Sequence, residues 1–436
     1  EGLITANMGT VALAGGHGVT LDVAGDGLLN VTVDQGVVDA LVQNGGLIRA
    51  DGGQVVLTAQ ATGELLNTVV NNTGVIQAQS IENRNGSIRL LGDMQSGTVT
   101  ISGGVDASGR RAGQSGGSVA VTAQHVGLFG DAKIDASGES GGGTVLIGGD
   151  YQGKGATLPN AGATYMGADA LISADALTSG GGGKVILWSD GSTKAYGSIS
   201  ARGGAQSGNG GLVETSGNSL DVAGIKVDTS AANGSYGNWL LDPADVTITG
   251  AATSGGTFSG GATNVFTPGP GVSTANISVA DITGALLTTG VTINTTNAGA
   301  AGVGSGDITI GTAAVAAPIT WIAPTTLTLN AVRNVLVNVG SAITATNGSL
   351  VVNAAGGNVI VNAATTTTTG NLRVTAAGNV DINAASTVTT GSISAIGGGN
   401  VNVSAAMTVT TGDIVLRADN DGTGPGAVIV CAQDDV

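Results

Sequence analysis

A 21-residue repeat constrains the fold of this chain more than any other feature of its sequence. The segment Gly357–Ala364 (GNVIVNAA) returns as Gly378–Ala385 (GNVDINAA) and as Gly399–Ala406 (GNVNVSAA), so both steps are 21 residues. Each period holds about three short runs of alternating apolar and polar residues, separated by Gly, Asn or Thr. Because a run of about five residues does not form a stable sheet alone, each run is expected to pair with its counterpart one period later.

The alternation within each run predicts which side chains face inward. A period of two places Val359 and Val361 on one face of a strand and polar residues on the other. If each strand pairs in parallel with the next period, the valines stack in an inner column, and Asn358, Asn379 and Asn400 stack in a hydrogen-bonded amide ladder. These features predict an all-β chain folded as a parallel β-helix, a solenoid whose turns are related by translation. Its narrow interior takes Val, Ile, Leu and Ala, which agrees with an aromatic content of only 2%.

The N-terminal half repeats more loosely and predicts wider turns. An Ile/Val-x-Ala triplet recurs, and its alanines are 28, 29, 29, 38 and 27 residues apart. Most triplets precede a Gly-Gly pair and another alternating run. We expect the glycines at corners where the backbone needs unusual dihedral angles, and an extra loop near Tyr151–Tyr165 in the 38-residue step. The triplets are Ile48–Ala50, Ile76–Ala78, Val105–Ala107, Ile134–Ala136, Ile172–Ala174 and Ile199–Ala201.

Three regions of the chain are expected to differ in organisation. Residues 1–249 are predicted to form a wide-turn β-helix block, and residues 276–436 a narrow-turn block with the period of about 21 residues. Residues 250–275 are rich in Gly, Ser and Pro and predict a loop or hinge. Charged residues also become rarer in the second block, because residues 251–436 contain only 8 acidic and 3 basic side chains.

Short helical excursions are predicted at three places. Gly36–Val42 and Gly63–Val70 have apolar residues at helical spacing. Ser278-Val279-Ala280-Asp281 resembles a capping box, which predicts a short helix that ends near Leu287.

Charge and composition exclude several classes of partner and site. Fourteen Lys and Arg against thirty Asp and Glu give a net charge of −16, which excludes nucleic acid as a partner and disfavours anionic membrane surfaces. An uncharged stretch between Asp307 and Arg333 contains prolines and many threonines, so we predict strands and turns and no membrane span. Cys431 is the only cysteine and forms no disulfide framework. His17 and His125 are too few for a multi-histidine metal site.

Two patterns resemble catalytic sites. Gly113–Gly117 and Gly138–Gly142 match the G-x-S-x-G spacing of a nucleophile elbow, which requires a strand-to-helix turn and a positioned histidine. Both lie in glycine-rich corners with only His125 nearby in sequence, so chance matches are favoured. Asp106 and Asp135 occupy equivalent positions in adjacent turns, as paired carboxylates do in carbohydrate-active β-helix enzymes. The Asp-Ala-Ser-Gly context is also ordinary turn sequence, and we favour that interpretation.

The remaining motifs favour structural roles. Gly180–Lys184 lacks the first glycine and the Ser or Thr of a phosphate-binding loop. Asp419–Gly422 resembles half of a calcium loop without its closing glutamate, so a turn is favoured. Trp188, Trp239 and Trp321 are candidate sugar platforms, but their apolar surroundings favour packing. We therefore predict no catalytic, cofactor-binding or metal-binding residues, and we interpret the Asn-x-Ser/Thr sequons as compositional.

An ordered set of motifs gives the chain a family resemblance. The set comprises Gly74–Ala78, Gly141–Asp150, Gly197–Gly204, Trp239–Pro243 and Ile319–Trp321. In this order the chain resembles the repetitive stalk of filamentous-haemagglutinin-like exoproteins of bacterial two-partner secretion systems. The resemblance implies a right-handed parallel β-helix and a large adhesin of Gram-negative bacteria, exported through the outer membrane by a partner transporter. The family's N-terminal secretion domain, with its Asn-Pro-Asn motifs, is missing, so we expect a fragment or a processed product.

The sequence and the resemblance together predict a secreted or cell-surface adhesive stalk without enzymatic activity. Its expected partners are a glycan or a protein on host or neighbouring bacterial cells. The first alternative is a self-associating filament or biofilm-matrix protein, because exposed solenoid ends invite stacking. A carbohydrate-active enzyme on the same fold is a further alternative.

Overall fold

The short alternating runs of the sequence form strands that pair almost entirely in parallel. The strands build a parallel β-helix, which confirms the predicted fold class. The chain divides into two compact units: the first contains Glu1–Gly217, Gly224–Trp239 and Thr257–Pro268, and the second contains Asn218–Ala223, Leu240–Gly256 and Gly269–Val436. The computed structural model describes residues 2–22, 30–35, 40–60, 68–81, 84–156, 158–242, 245–251, 256–258, 266–268, 274–295, 306–420, 422 and 425–431.

Unit 1 contains three parallel ladders. Ladder A runs in the order Leu3–Thr5, Leu47–Arg49, Val75–Gln77, Gly104–Asp106, Lys133–Asp135, Leu171–Ser173, Ser198–Ser200 and Lys226–Asp228. Ladder B contains Thr10–Gly15, Gln54–Ala59, Ser87–Leu91, Ser118–Thr122, Thr144–Ile147 and the first residues of Lys184–Ala195. Ladder C contains Val42–Asn44, Thr68–Asn72, Thr98–Ile101, His125–Leu128, Ala163–Met166 and the last residues of Lys184–Ala195.

Ladder A brings the Ile/Val-x-Ala triplets into register. Ile48, Ile76, Val105 and Ile134 are direct neighbours in successive strands, and each is almost fully buried. Burying a large aliphatic side chain stabilises a fold by about 1.5–3 kcal/mol. This inner column therefore fixes the register of the wide turns.

The Gly-Gly pairs lie at corners, but for a different reason from the one predicted. A Cβ at Gly143 would lie 2.1 Å from the carbonyl oxygen of Gly117, and one at Gly183 would lie 2.1 Å from that of Gly143. Glycine is required there because the backbones of successive turns approach too closely for any side chain. Among the pairs of residues 52–53, 116–117, 142–143, 182–183 and 210–211, only Gly52 has a positive φ.

Unit 2 also contains three parallel ladders. Ladder D runs in the order Thr274–Ser278, Asp245–Thr249, Ile308–Ile310, Val335–Val337, Val359–Val361, Val380–Ile382, Val401–Val403 and Val428–Val430. Ladder E contains Gly290–Asn294, Thr326–Ala331, Ser349–Ala354, Leu372–Ala376, Ile393–Gly397 and Ile414–Arg417. Ladder F contains Ile319–Trp321, Ile343–Ala345, Thr365–Thr369, Ser386–Thr390 and Met407–Thr411.

The 21-residue repeat produces the predicted stacking in ladder D. Val380 pairs with Val359 on one side and with Val401 on the other, and all three are buried. The asparagine column also forms, with a different donor from the one expected. The backbone N–H of Asn379 donates to Asn358 Oδ1 at 2.7 Å, and that of Asn400 donates to Asn379 Oδ1 at 2.8 Å. Each amide thus accepts a backbone hydrogen bond from the following turn.

The remaining elements include one α-helix, Val279–Leu286, among the described residues. Its N-cap is Ser278, whose hydroxyl accepts the N–H of Ala280 at 3.2 Å, so the predicted capping helix is confirmed. The other elements are the antiparallel pair Gly18–Asp22 and Asn30–Gln35, the paired strands Gly256–Phe258 and Phe266–Pro268, the 3-10 turn Tyr151–Gly153, and the strands Leu212–Asp221 and Asn238–Asp242.

Two other predicted helical excursions are not helical where the structure describes them. Residues 36–39 and 61–67 lie outside the described residues, but Val42 begins a strand and Thr68–Asn72 is a strand. Ala40 and Val42 are buried on either side of the exposed Leu41, which is the alternation of a strand. Most of the predicted loop at 250–275 also lies outside the described residues.

Candidate functional site

The paired aspartates of ladder A are held in structural hydrogen bonds. Asp106 and Asp135 are direct neighbours in adjacent strands, as predicted. Each carboxylate accepts the backbone N–H two residues later, from Ser108 and Ser137, both at 2.9 Å. The second oxygen of Asp106 accepts Gln79 Nε2 at 2.7 Å. These are Asx-type turn contacts that shape the corner of the coil.

Arginines form ion pairs with aspartates of the neighbouring turn at this corner and at the next. Arg110 forms an ion pair with Asp135, and Arg202 forms one with Asp175 at 2.7 Å. The hydrogen bond and charge of Asp175 raise the pKa of Arg202. Both Asp106 and Asp135 are hydrogen-bonded to residues of their own or a neighbouring turn. These contacts are typical of carboxylates that hold successive turns together, and not of an open catalytic pair.

The two serine motifs do not lie on nucleophile elbows. Gly113–Gly117 leads into the strand Ser118–Thr122, and Gly138–Gly142 leads into Thr144–Ile147. An elbow has the opposite order, a strand followed by a helix. His125 lies in ladder C, and burial lowers the pKa of its imidazole, so His125 is neutral near pH 7.

The three tryptophans differ in their exposure to solvent. Trp239 is fully buried and donates its indole N–H to Thr215 Oγ1 at 2.9 Å. Trp321 is buried and donates to the carbonyl of Thr325 at 3.1 Å. Both side chains pack inside the coil. Trp188 differs, because part of its indole remains exposed.

Trp188 lies in the middle of the strand Lys184–Ala195, opposite an insertion in the preceding turn. The strand Lys184–Ala195 pairs with Thr144–Ile147 through its first residues and with Ala163–Met166 through its last. Between those two partners the preceding turn inserts residues 148–162, which gives the 38-residue step its predicted extra loop. The N–H of Ala161 donates to the carbonyl of Gly148 at 2.6 Å and closes the base of this loop. We call the described residues of this insertion, 148–156 and 158–162, the corner loop.

Polar side chains fix the groups around the indole. Trp188 Nε1 donates to Asp190 Oδ1 at 3.0 Å, and Asn160 Nδ2 donates to the same oxygen at 2.9 Å. A Cβ at Gly153 would lie 2.5 Å from the indole ring, and one at Gly149 would lie 2.7 Å from it. The corner loop therefore approaches the ring through two glycines, and one carboxylate is oriented by two donors.

An ion pair connects the corner loop to the neighbouring strand. Lys184 Nζ donates to Asp150 Oδ1 at 3.0 Å, and Asp150 also accepts the N–H of Tyr151 at 2.7 Å. Burial alone raises the pKa of Asp150, but the contacts with Tyr151 and Lys184 together lower it below its ordinary value. Glu214, which is fully buried, accepts the N–H of Gln152 at 3.1 Å. These contacts tie the loop to two later strands.

An aromatic cluster that the sequence did not predict lies on the outer face of ladder C. The ring centroids of Phe129 and Tyr165 are 5.2 Å apart, and those of Tyr165 and Tyr196 are 6.0 Å apart. Burial and the charge of Asp169 raise the pKa of Tyr165. A Cβ at Gly127 would lie 2.2 Å from the Phe129 ring, so this glycine makes room for the ring. The pairing of strands in ladder C brings these residues together. The sequence repeats do not define that pairing for the wide turns.

The structure does not bring the other candidate residues of the sequence together in a site. His17 is exposed in a bend, and Cys431 is exposed beside the strand Val428–Val430. Lys184 begins a strand, and Asp421 of the half calcium loop lies outside the described residues. Within the described part of the chain, no group of three or more His, Cys, Asp or Glu side chains is placed to hold a metal ion. No helix of that part is long and apolar enough to cross a membrane.

Comparison with known proteins gives one short similarity. No family model matches the chain. Over 83 residues, or 19% of its length, the chain is 32% identical to the heme/hemopexin-binding protein of Haemophilus influenzae. The matched segment covers 9% of that protein. Membership of the haemagglutinin-like exoprotein family therefore stays a prediction.

Proposed function

We propose that this chain is part of a secreted or surface-exposed bacterial adhesin of the two-partner secretion type, without enzymatic activity. The main supporting observation is that the coil commits its inner positions to packing and its acidic corner to turn-to-turn contacts, while Trp188, on the strand beside the corner loop, stays half-buried. Solenoids of this kind bind through their outer surfaces and loops. The short similarity to a heme/hemopexin-binding protein agrees with a role in binding host molecules.

Export through a partner outer-membrane transporter belongs to the same proposal. The chain contains one cysteine, so no disulfide has to form before or after passage. Each strand pairs with a counterpart one turn away, so the coil is able to form turn by turn after passage, each turn providing an edge for the next.

A binding panel tests the adhesive function. The purified chain is presented to host and bacterial cells, to an array of glycans, and to haem and hemopexin. We expect saturable binding to cells, and we expect one class of the soluble ligands to compete with that binding. Absence of binding to every cell and ligand, with the fold verified by circular dichroism, contradicts the proposal. A haem difference spectrum without cell binding favours haem capture instead.

Self-association is the second candidate, and the last described strands favour it. Ile414 and Val430 are 42% and 62% exposed, and an open cavity beside them is lined by Met407, Leu416 and Cys431. This apolar surface suits the addition of a further β-helix turn, from this chain or a second copy. Sedimentation and electron microscopy across concentrations test it: ordered stacks at low concentration support a filament, and a monomer throughout contradicts it.

Enzymatic activity is tested by release of reducing sugar from polysaccharides. We expect none, because Asp106 and Asp135 are held by turn contacts and by Arg110. Release that Asp106→Ala or Asp135→Ala abolishes would replace the adhesin proposal with a glycoside-cleaving enzyme.

A further inference from the structure

The corner loop and Trp188 form a surface feature whose chemistry suits one class of ligand. The insertion is placed at the corner that Trp188 occupies in the next turn, and Gly149 and Gly153 let its backbone reach the ring. Part of the indole nevertheless stays exposed, whereas Trp239 and Trp321 are buried. The loop thus packs against the indole and leaves Trp188 half-buried.

Hydrogen-bonding groups lie beside the indole and in the corner loop. Asp190 is exposed, and its Oδ1 is oriented by Trp188 Nε1 and Asn160 Nδ2. Asp150 is held by Lys184 and by the N–H of Tyr151, and its lowered pKa keeps it ionised. Ionised carboxylates of fixed orientation are strong acceptors for hydroxyl groups.

The balance of charge selects against anionic ligands. Asp150, Asp190 and the buried Glu214 are acidic, whereas Lys184 and Lys154 are basic. Lys184 pairs with Asp150, Glu214 accepts the N–H of Gln152 at 3.1 Å, and Lys154 donates to Gln152 Oε1 at 3.0 Å. The whole chain carries a charge of −16, which repels sulfated, sialylated or uronic-acid glycans at long range. The favoured ligand is therefore uncharged, rich in hydroxyl groups, and apolar on one face.

We propose that Trp188, Asp190 and the corner loop bind a neutral pyranose sugar, with C–H groups of the sugar against the exposed indole and its hydroxyl groups on the carboxylates. Aromatic side chains combine a large apolar contact area with directed polar groups in this way. The inference rests on the proposed adhesive function, for which it names a site and a class of partner.

Tryptophan emission offers a direct assay, since Trp188 is the partly exposed indole and the other two are buried. The whole chain is titrated with the methyl glycosides of glucose, galactose, mannose and N-acetylglucosamine, and also with multivalent conjugates of each. We expect a saturable change in emission with at least one of them. Trp188→Phe should abolish the change, and binding of the conjugates to Trp188→Ala should weaken about tenfold or more.

Asp190→Asn tests the carboxylate without removing the ring. It should weaken binding of the same conjugate, whereas Asp131→Asn, at an exposed aspartate elsewhere in unit 1, should not. Circular dichroism and thermal unfolding verify the fold of each variant. If Trp188→Ala does not fold, the Asp190→Asn and Asp131→Asn pair still decides the result.

The result that overturns the proposal is clear. If acrylamide quenches Trp188 but no glycoside or conjugate changes its emission, the indole is accessible and does not bind neutral sugars. Cell binding by wild type and Trp188→Phe, measured in parallel, separates the two levels of inference. Cell binding without any sugar binding removes the sugar site and leaves the adhesin, whereas sugar binding without any cell binding retains the site and removes the adhesive function.

Discussion

Replacing Gly143 by Ala tests the close approach of successive turns. The added Cβ would lie 2.1 Å from the carbonyl oxygen of Gly117, whereas ordinary van der Waals contact begins near 3.4 Å. The two turns must therefore separate locally by more than an ångström. The same carbonyl accepts the N–H of Thr144 at 3.0 Å, so that hydrogen bond breaks when the turns separate.

The expected cost follows from these two effects. Losing one hydrogen bond costs about 1 kcal/mol, and overpacking a close backbone contact costs about 1–3 kcal/mol. Gly143→Ala should therefore lower the free energy of unfolding by about 2–4 kcal/mol. Gly104→Ala is the matched control, because its Cβ would lie 3.6 Å from a methyl group of Val75, an ordinary contact.

Urea unfolding followed by circular dichroism measures both variants. Gly104→Ala should be neutral or slightly stabilising, because alanine reduces the freedom of the unfolded chain. Gly143→Ala should unfold at a clearly lower urea concentration than both Gly104→Ala and wild type. Equal midpoints for the two variants would refute the argument that turn spacing, and not backbone dihedral angle, requires glycine at this corner.

Three further predictions concern the ladder, the loop and the indole. Asn379→Ala should cost about 1–2 kcal/mol in urea unfolding, because the next turn loses its acceptor, and more than Asn383→Ala, whose side chain is exposed. The lowered pKa of Asp150 means that its contacts stabilise the corner loop above about pH 4 and that this contribution is lost as the pH falls through the lowered value. Proteolysis of the loop should therefore increase in acid, and Asp150→Asn should remove that dependence. Acrylamide should quench one class of tryptophan emission in wild type, and Trp188→Phe should eliminate that class.

The 21-residue repeats were sufficient to predict the narrow turns and their register. The 21-residue step predicted that Val380 lies between Val359 and Val401, and the structure has that register. A translational repeat encodes contacts directly, because equivalent residues must meet when each strand pairs with its copy in the next turn. Capping chemistry is equally local, so Ser278 predicted the start of the helix.

The sequence could not predict the distances between the backbones of successive turns. A Gly-Gly pair is compatible with an unusual dihedral angle and with a close approach, and only coordinates distinguish them, as at Gly143. The same limit applies to Trp188. Its apolar run resembles those of Trp239 and Trp321, but its exposure depends on how the corner loop of the preceding turn folds.

The corner loop also explains how a repetitive coil acquires a specific surface. In the narrow turns of ladder F, outward side chains such as Thr366, Thr387 and Thr408 are copies of one another one turn apart, so a ligand that binds one turn meets similar chemistry on the next. An insertion removes that repetition, because the corner loop places Asn160 against Asp190, which also accepts the indole N–H of Trp188, and places Asp150 against Lys184. The coil tolerates the insertion because the closing bond between Ala161 and Gly148 returns the chain to register before Ala163–Met166. Specific recognition by such a protein is therefore expected at its insertions, and the corner loop is the place to test it.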